Sequence, residues 1–380
     1  MSISHERRRF LAGAGAVALG LPVTRGALAQ QPSGTPYKIG VTYPLSGPQG
    51  AWGQILVPAI EIAVQHVNDA NGINGHPLAL ILEDSKGNPE GAVSAMRKVV
   101  QVDDVQVIMS IFTNVVSAQI PLAQQFKVPV LCPVEAPGLV ARSNHWVFAH
   151  SALLSRTLPL LEARWKNMGV KRLFCFFPNT AIASYGSGLA KESAARLGAA
   201  YEEVLFKLGD TDFRGLIARA KAFNPDAVLV WGHGTPDEAI VIKQMRELGM
   251  TVPVFNGTAT PMAKTYREAG GRALEGVIYG GFKYDTAAAK PFVDAYRARL
   301  GFDPDFAGLE DYDMVNMIAA GIRKNGYDGE GIRSFVANLK DFKSIGGGLI
   351  SMDPDGQSIV PVGLYEVVDV EKPVFKEIQP

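Results

Sequence analysis

The sequence predicts an α/β protein of two doubly wound units in tandem, and three observations carry that prediction. Short, near-continuous apolar runs alternate with stretches of helical spacing, beginning at Tyr37. Runs that are apolar on both faces are strands of a parallel sheet covered by helices on either side. The alternation runs through two series, and a C-terminal third holds too few pieces for a core of its own. The 380 residues are 47% hydrophobic and 19% charged, enough for two or three domains of ~100–200 residues each and against wholesale disorder.

In the first series YKIGVTYP is a strand and Trp52 to Asn68 a helix; LALILED is a strand and Glu90 to Val102 a helix. VQVIMSIF is a strand, Val116 to Phe126 a helix and VPVLCPV a strand. The second series reads Leu158 to Met168 helix, KRLFCFF strand, Leu189 to Leu197 helix and EEVLF strand. It continues with Phe213 to Ala222 helix, DAVLVWG strand, Glu238 to Leu248 helix and VPVFNG strand. The C-terminal third adds EGVIYGGF, helices around Phe292 to Leu300, Tyr312 to Lys324 and Ile332 to Leu339, and strands GGLISM, IVPVGLYEVV and PVFKEI. Those pieces complete the first two units, so the chain crosses between them near His150, Phe282 and Met352. The expected lobes are 37–150 with 283–352, and 151–282 with 353–380.

Composition narrows the function. Lysine plus arginine equal aspartate plus glutamate at 37 each, which removes the electrostatic case for nucleic-acid binding. Two cysteines make neither a disulfide scaffold nor a four-thiolate zinc site; Cys132 and Cys175 lie in apolar runs and read as free core thiols. The six histidines show no HExxH and no tight pair, so no metal and no cofactor are expected.

Residues 1–29 read as an export signal. Arg7, Arg8 and Arg9 form a basic head, Phe10 to Leu21 is apolar, and Ala27-Leu28-Ala29 gives a small-x-small cleavage pattern. Arg7-Arg8-Arg9-Phe10-Leu11 fits the twin-arginine pattern, the alternative being an ordinary Sec signal. The apolar run is shorter than the ~20 residues a membrane span needs. The expected product is periplasmic, monomeric and without a membrane span. Cleavage removes four arginines and one glutamate, leaving 33 basic and 36 acidic side chains, net −3.

In such folds ligands bind outside the carboxyl ends of the strands. Here those ends carry Trp52, Thr113, Asn114, Glu135, Tyr185, His233 and Thr258, an aromatic and hydrogen-bonding set with little charge. It suits a small neutral or zwitterionic solute. Most also have a plainer reading. Trp52 can be a core aromatic, Thr113 and Asn114 can cap a helix, Glu135 can be a loop acid or a helix cap and His233 a satisfied loop histidine. Asp353-Pro354-Asp355-Gly356 lacks the further ligands of a calcium loop and reads as a turn.

The chain resembles the periplasmic Leu/Ile/Val-binding protein family, the type I solute receptors of ABC importers. The resemblance rests on IGVTYPLSGPQGAWGQ, on AVQHVN followed by GINGHPLALILEDSKGNPEGA, on DFRGLIARAKAFNPDAVLVWG, and on ASYGSGLA, EGVIYGGFKYD and YDMVNMIAAGIRK. It spans about Tyr37 to Val368. It implies Rossmann-like lobes joined by three crossovers, a small-molecule ligand, an ABC permease as partner and no chemistry. By the resemblance, Trp52 lies along the ligand, Thr113 and Asn114 take its carboxylate, Val134 and Glu135 form the following loop, and Tyr185 closes over it. Two departures stand out: Ala259, beside Thr258, replaces the glutamate that α-amino-acid receptors use for the ligand ammonium, and Gly234 stands where an aromatic is common. Either Glu135 takes over the ammonium, or the ligand is no standard α-amino acid, for example an aromatic or other organic acid. A ligand-sensing module on the same fold is the remaining alternative. A G-x-S-x-G elbow and an acid/base pair are missing from the crevice loops, so an enzyme is not expected.

Overall fold

The computed structural model describes residues 32–380 except 48, 135–144, 153, 233–234, 284–285, 305 and 373. A first sheet is wholly parallel, built from β1 (Tyr37–Thr42), β2 (Leu78–Leu82), β3 (Ile108–Ser110), β4 (Val130–Cys132) and β5 (Val147–Ala149) in the order β2-β1-β3-β4-β5. Its crossover helices are α1 (Gly50–Asp69), α2 (Pro89–Gln101) and α3 (Thr113–Phe126). The chain then enters α4 (Leu154–Asn167), β6 (Arg172–Pro178), α5 (Ala181–Leu197), β7 (Ala200–Phe206), α6 (Arg214–Phe223), β8 (Ala227–Val230), α7 (Pro236–Glu247), β9 (Val254–Asn256), α8 (Lys264–Gly270) and β10 (Ile278–Phe282).

Helices α9 (Thr286–Leu300), α10 (Phe306–Asn325) and α11 (Gly329–Ala337) return to the first side, where α10 packs along α1. A small antiparallel sheet follows, β11 (Phe342–Lys343), β12 (Leu349–Met352) and β13 (Ser358–Ile359). Then β14 (Val362–Asp369) and β15 (Val374–Ile378) extend the second sheet, whose order is β15-β14-β10-β9-β8-β6-β7. These last two strands run antiparallel, unlike the parallel strands before them.

The central strands of both sheets are buried on two faces, which is why they read as unbroken apolar runs. On β6, Leu173, Cys175 and Phe177 enter the core with α4 and α5, while Phe174 and Phe176 enter the core with α6 and α7. The two-residue period of a strand makes this division. The elements follow the sequence reading with some differences at the ends. Strand β5 and helix α8 are additions; three residues and seven residues give little periodicity to read. Helix α3 starts at Thr113 and α5 at Ala181, so stretches read as loop are first turns of helix. Residues 353–356 form a turn, with the Asp353 carboxylate accepting from the Asp355 and Gln357 N–H groups.

Candidate functional site

The strand ends of the first sheet are fixed by short hydrogen bonds. At the end of β2, Asp84 Oδ1 accepts from the N–H groups of Leu45 (2.8 Å), Ser46 (3.3 Å) and Lys86 (2.8 Å), and Oδ2 accepts from Ser46 Oγ. Partial burial alone would raise its pKa, but these donors win and hold the carboxyl below its ordinary value. Trp52, half-buried in the first turn of α1, meets the Phe112 ring edge-on at 6.3 Å. Phe112 precedes α3 with φ +69° and ψ 132°, a region sterically costly for any residue with a Cβ.

Thr113 and Asn114 open α3. Asn114 Nδ2 donates to the Gly87 carbonyl at 3.0 Å, tying the helix to the loop after β2. Phe112 provides no side-chain cap, so the N–H groups at the start of α3 are of the kind that receive anions. Val134 is buried in the core beside Cys132. Burial pushes the Cys132 thiol up to about 12, and the Cys175 thiol higher still, so both stay protonated and inert. Glu135, His233 and Gly234 lie outside the described residues.

The second sheet is arranged differently. Trp231, at the end of β8, is buried between α5 and the loop after β9. A Cβ placed at Gly186 would fall 1.9 Å from its ring, and one at Gly257 3.0 Å from it. Trp231 Nε1 donates to Thr258 Oγ1 at 3.2 Å, and the Thr258 N–H donates to Asn256 Oδ1 at 3.0 Å. Ala259 is buried, and half-buried Tyr185 sits in the first turns of α5, directly before Gly186. Sequence reasoning did not single out Trp231; its place directly after an apolar strand was the signal.

Nor did it single out the acids of α10. Glu310, Asp311 and Asp313 are all buried in the first half of that helix, and the first two fall in a stretch read as preceding it. Glu310 Oε1 accepts from Ser151 Oγ (2.8 Å) and the Ala152 N–H (3.2 Å), and Asp311 Oδ1 accepts from Tyr43 Oη (2.5 Å). Asp313 accepts from Ser344 Oγ (2.5 Å) and the Ile345 N–H (2.7 Å), and lies 3.7 Å from His150 Nε2. The Glu310 contacts bind α10 to the segment that leads from the first sheet to the second, the Asp311 contact binds it to the loop after β1, and the Asp313 contacts bind it to the turn between β11 and β12. Burial, and then the nearby Asp311 carboxylate, push the Tyr43 phenol well above its ordinary value, which keeps it a donor.

Elements of both sheets meet around a cleft of about 230 Å³. Its walls include Trp52 and Ile55 from α1, Phe302 from the loop after α9, and Lys264 and Thr265 from α8. A family model described as periplasmic binding protein matches residues 36–372.

The chain belongs to the periplasmic binding protein family.

Among its relatives is the Leu/Ile/Val-binding protein homolog 1 of Brucella abortus (strain 2308), 26% identical over 338 residues, 85% of this chain and 88% of the relative. The leucine-binding protein LivK of Thermotoga maritima shares the fold at a TM-score of 0.79, with 25% identity over 90% of this chain and 97% of its own. A solute-binding protein of an ABC transporter from Rhodopseudomonas palustris BisB5, solved with 3,4-dihydroxybenzoic acid, superposes equally well at 23% identity, over 90% of this chain and 96% of its own. The fold is that of periplasmic binding protein type I. Among the described residues no helix is long and apolar enough to cross a membrane.

Proposed function

We propose that this periplasmic binding protein captures a small polar organic solute, an amino acid or amide-like compound, between two hinged lobes and delivers it to an inner-membrane ABC permease. The observation that carries the reading is the cleft between Trp52 on α1 and Lys264 and Thr265 on α8, because a ligand there touches elements of both sheets. Ligand contacts on two bodies favour their closed arrangement. In this reading the lobes are 37–150 with 283–352 and 151–282 with 353–380, and the buried α10 contacts at 151–152 and 344–345 form the hinge floor. Residues 1–29 direct export, most simply by the twin-arginine route with cleavage after Ala29, and the mature protein acts as a periplasmic monomer.

The proposed contacts are Trp52, Thr113, Asn114, Val134, Glu135, Tyr185, His233, Gly234, Thr258 and Ala259; of these, Trp52 alone is among the described residues lining that cleft, and the others lie at or near the strand ends. The start of α3 takes an anionic group through its N–H groups, since the Asn114 side chain is engaged with Gly87. Ala259, buried and apolar, cannot pair with an ammonium. That favours a second reading, an aromatic or other organic acid lacking an α-ammonium, in line with the dihydroxybenzoate complex of one structural neighbour. The test is a thermal-shift and calorimetric panel of branched-chain and aromatic amino acids, amides, and aromatic and aliphatic carboxylates. A compound at a thousand times its Kd adds about 4 kcal/mol, several degrees in Tm. Shifts with amino acids or amides support the first reading and shifts with carboxylates alone the second. A panel without any shift overturns both.

A further inference from the structure

The chain passes between the two sheets three times, after β5, after β10 and between β12 and β14. Backbone bonds tie these passages together. The Ala149 N–H donates to the Gly356 carbonyl at 2.9 Å, joining the first to the third, and the Lys283 N–H donates to the Pro361 carbonyl at 2.8 Å, joining the second to the third. The His150 ring lies where they meet. Its Nδ1 is 3.1 Å from Ser358 Oγ on the third passage, and its centroid is 5.6 Å from that of Phe282 at the start of the second. Its Nε2 faces Asp313 Oδ2 of α10 at 3.7 Å, and both side chains are almost wholly buried.

That last contact is too long for a hydrogen bond, and among the described residues Nε2 has no other partner. The charged surroundings can be taken element by element. Helix α10 brings Asp313 and, one turn earlier, Glu310, which accepts from Ser151 Oγ beside His150. The second passage brings Lys283, which lines a small cavity with Glu310 and Asp313 but gives its ammonium to Glu377 at 2.7 Å. The third passage brings Asp353, paired with Arg156 at 2.8 Å. The turn between β11 and β12 offers Asp313 only the neutral donors of Ser344 and Ile345, and β4 offers His150 the Cys132 carbonyl. Among the described residues, His150 is the one base within 4 Å of the Asp313 carboxylate.

A neutral imidazole has one N–H and one lone pair, whereas a protonated one donates at both nitrogens and carries a charge opposite to that of Asp313. A proton on His150 therefore turns an unfinished apposition into a charge-assisted link. That link strengthens the arrangement in which the cleft at Trp52 is lined from both sheets. We propose that His150 is a proton-operated latch of the hinge: protonated, it joins Asp313 on α10 to Ser358 on the third passage and favours the closed arrangement. Neutral, it holds that arrangement less firmly. The inference rests on the solute-capture reading and adds its regulation by pH.

The test places one spin label on a helix of each sheet, at Val102→Cys directly after α2 and at Glu192→Cys on α5. Both positions are well exposed, while Cys132 and Cys175 are buried and stay unlabelled. Pulsed electron paramagnetic resonance reads the interlabel distances in the purified, solute-free protein at about pH 8 and about pH 5.5, the range over which imidazoles change charge. The closed-to-open ratio is expected to rise about fivefold on acidification, the low end of ordinary coupling between two sites. His150→Gln, which stays neutral, is expected to lose the rise although the other histidines still titrate. Should His150→Gln not fold, Asp313→Asn removes the opposite charge and is expected to lose it too. No rise in the parent overturns the proposal, and so does a rise that survives in His150→Gln or, in its place, in Asp313→Asn. A rise that depends on His150, with no thermal shift from any compound of the solute panel, supports the latch and counts against capture. Compounds that shift Tm without such a rise overturn the latch and leave capture standing.

Discussion

The strand ends of the two sheets are held in place by different forces. On the first side polar staples do the work: Asp84 gathers three N–H groups and a hydroxyl, Asn114 reaches the Gly87 carbonyl, and Phe112 accepts a strained backbone. On the second side a large ring, Trp231, is wedged against two glycines, and hydrogen bonds through Thr258 to Asn256 add to that packing. Hydrogen bonds fix direction as well as distance, so the first side is suited to present fixed donors to a ligand's polar group. Packing fixes shape and tolerates exchange of one filled volume for another, so the second side is where specificity can change by substitution. Ala259 lies on that second side.

The sharpest way to break this comparison is to remove the wedge. Trp231→Ala is expected to cost about 3–5 kcal/mol, the usual loss for a buried aromatic, read as a drop in the midpoint of chemical unfolding. A cost under about 1 kcal/mol would mean that the second side is not set by packing.

The next effect concerns Phe112. Ala normally does better than Gly in ordered backbone, but at φ +69° the order should reverse. Phe112→Gly is expected to be more stable than Phe112→Ala by about 1 kcal/mol or more, from relief of the strained conformation. Both variants lose the edge-on contact with Trp52 and should bind the ligand more weakly. If Gly and Ala are equal in unfolding measurements, the strain is not there.

The two sides also differ in how legible they are in the sequence. Strands buried on both faces announce themselves as VPVLCPV or DAVLVWG, because every position must be apolar. The start of α5 did not, since ASYGSG is rich in poor helix formers; Gly186 is there because the Trp231 ring occupies the space a side chain would need. Strap-like contacts are harder still. The acids of α10 look like a solvated helix end until Tyr43, Ser151 and Ser344, from distant parts of the chain, arrive to bind them. A cavity of about 490 Å³ is invisible in the sequence for the same reason: its rings come from β10, α10, β14 and β15. Periodicity reports a residue's own element, whereas a cavity is a property of several elements meeting. The resemblance to a receptor family located the strand-end loops, yet the differences that bear on ligand class lie in side chains it does not predict.

The smallest expected effect separates staple from wedge by pH. Asp84 is held below its ordinary pKa in the folded chain, while the unfolded carboxyl titrates near ~3.9. Between those two values the unfolded chain takes up a proton that the folded chain refuses, so stability falls as the pH drops through that window. The contribution is fully present above the unfolded value and gone below the folded one. Asp84→Asn removes this dependence along with the charge, so its unfolding midpoint should fall less steeply than that of the parent as pH drops below about 4. The loop at Leu45 and Ser46 is open to water, so the difference in slope will be modest, and Trp231→Ala should leave it unchanged. Identical acid slopes for parent and Asp84→Asn would show that the first side is not held by that carboxylate, and the contrast between the two sides would lose its polar half.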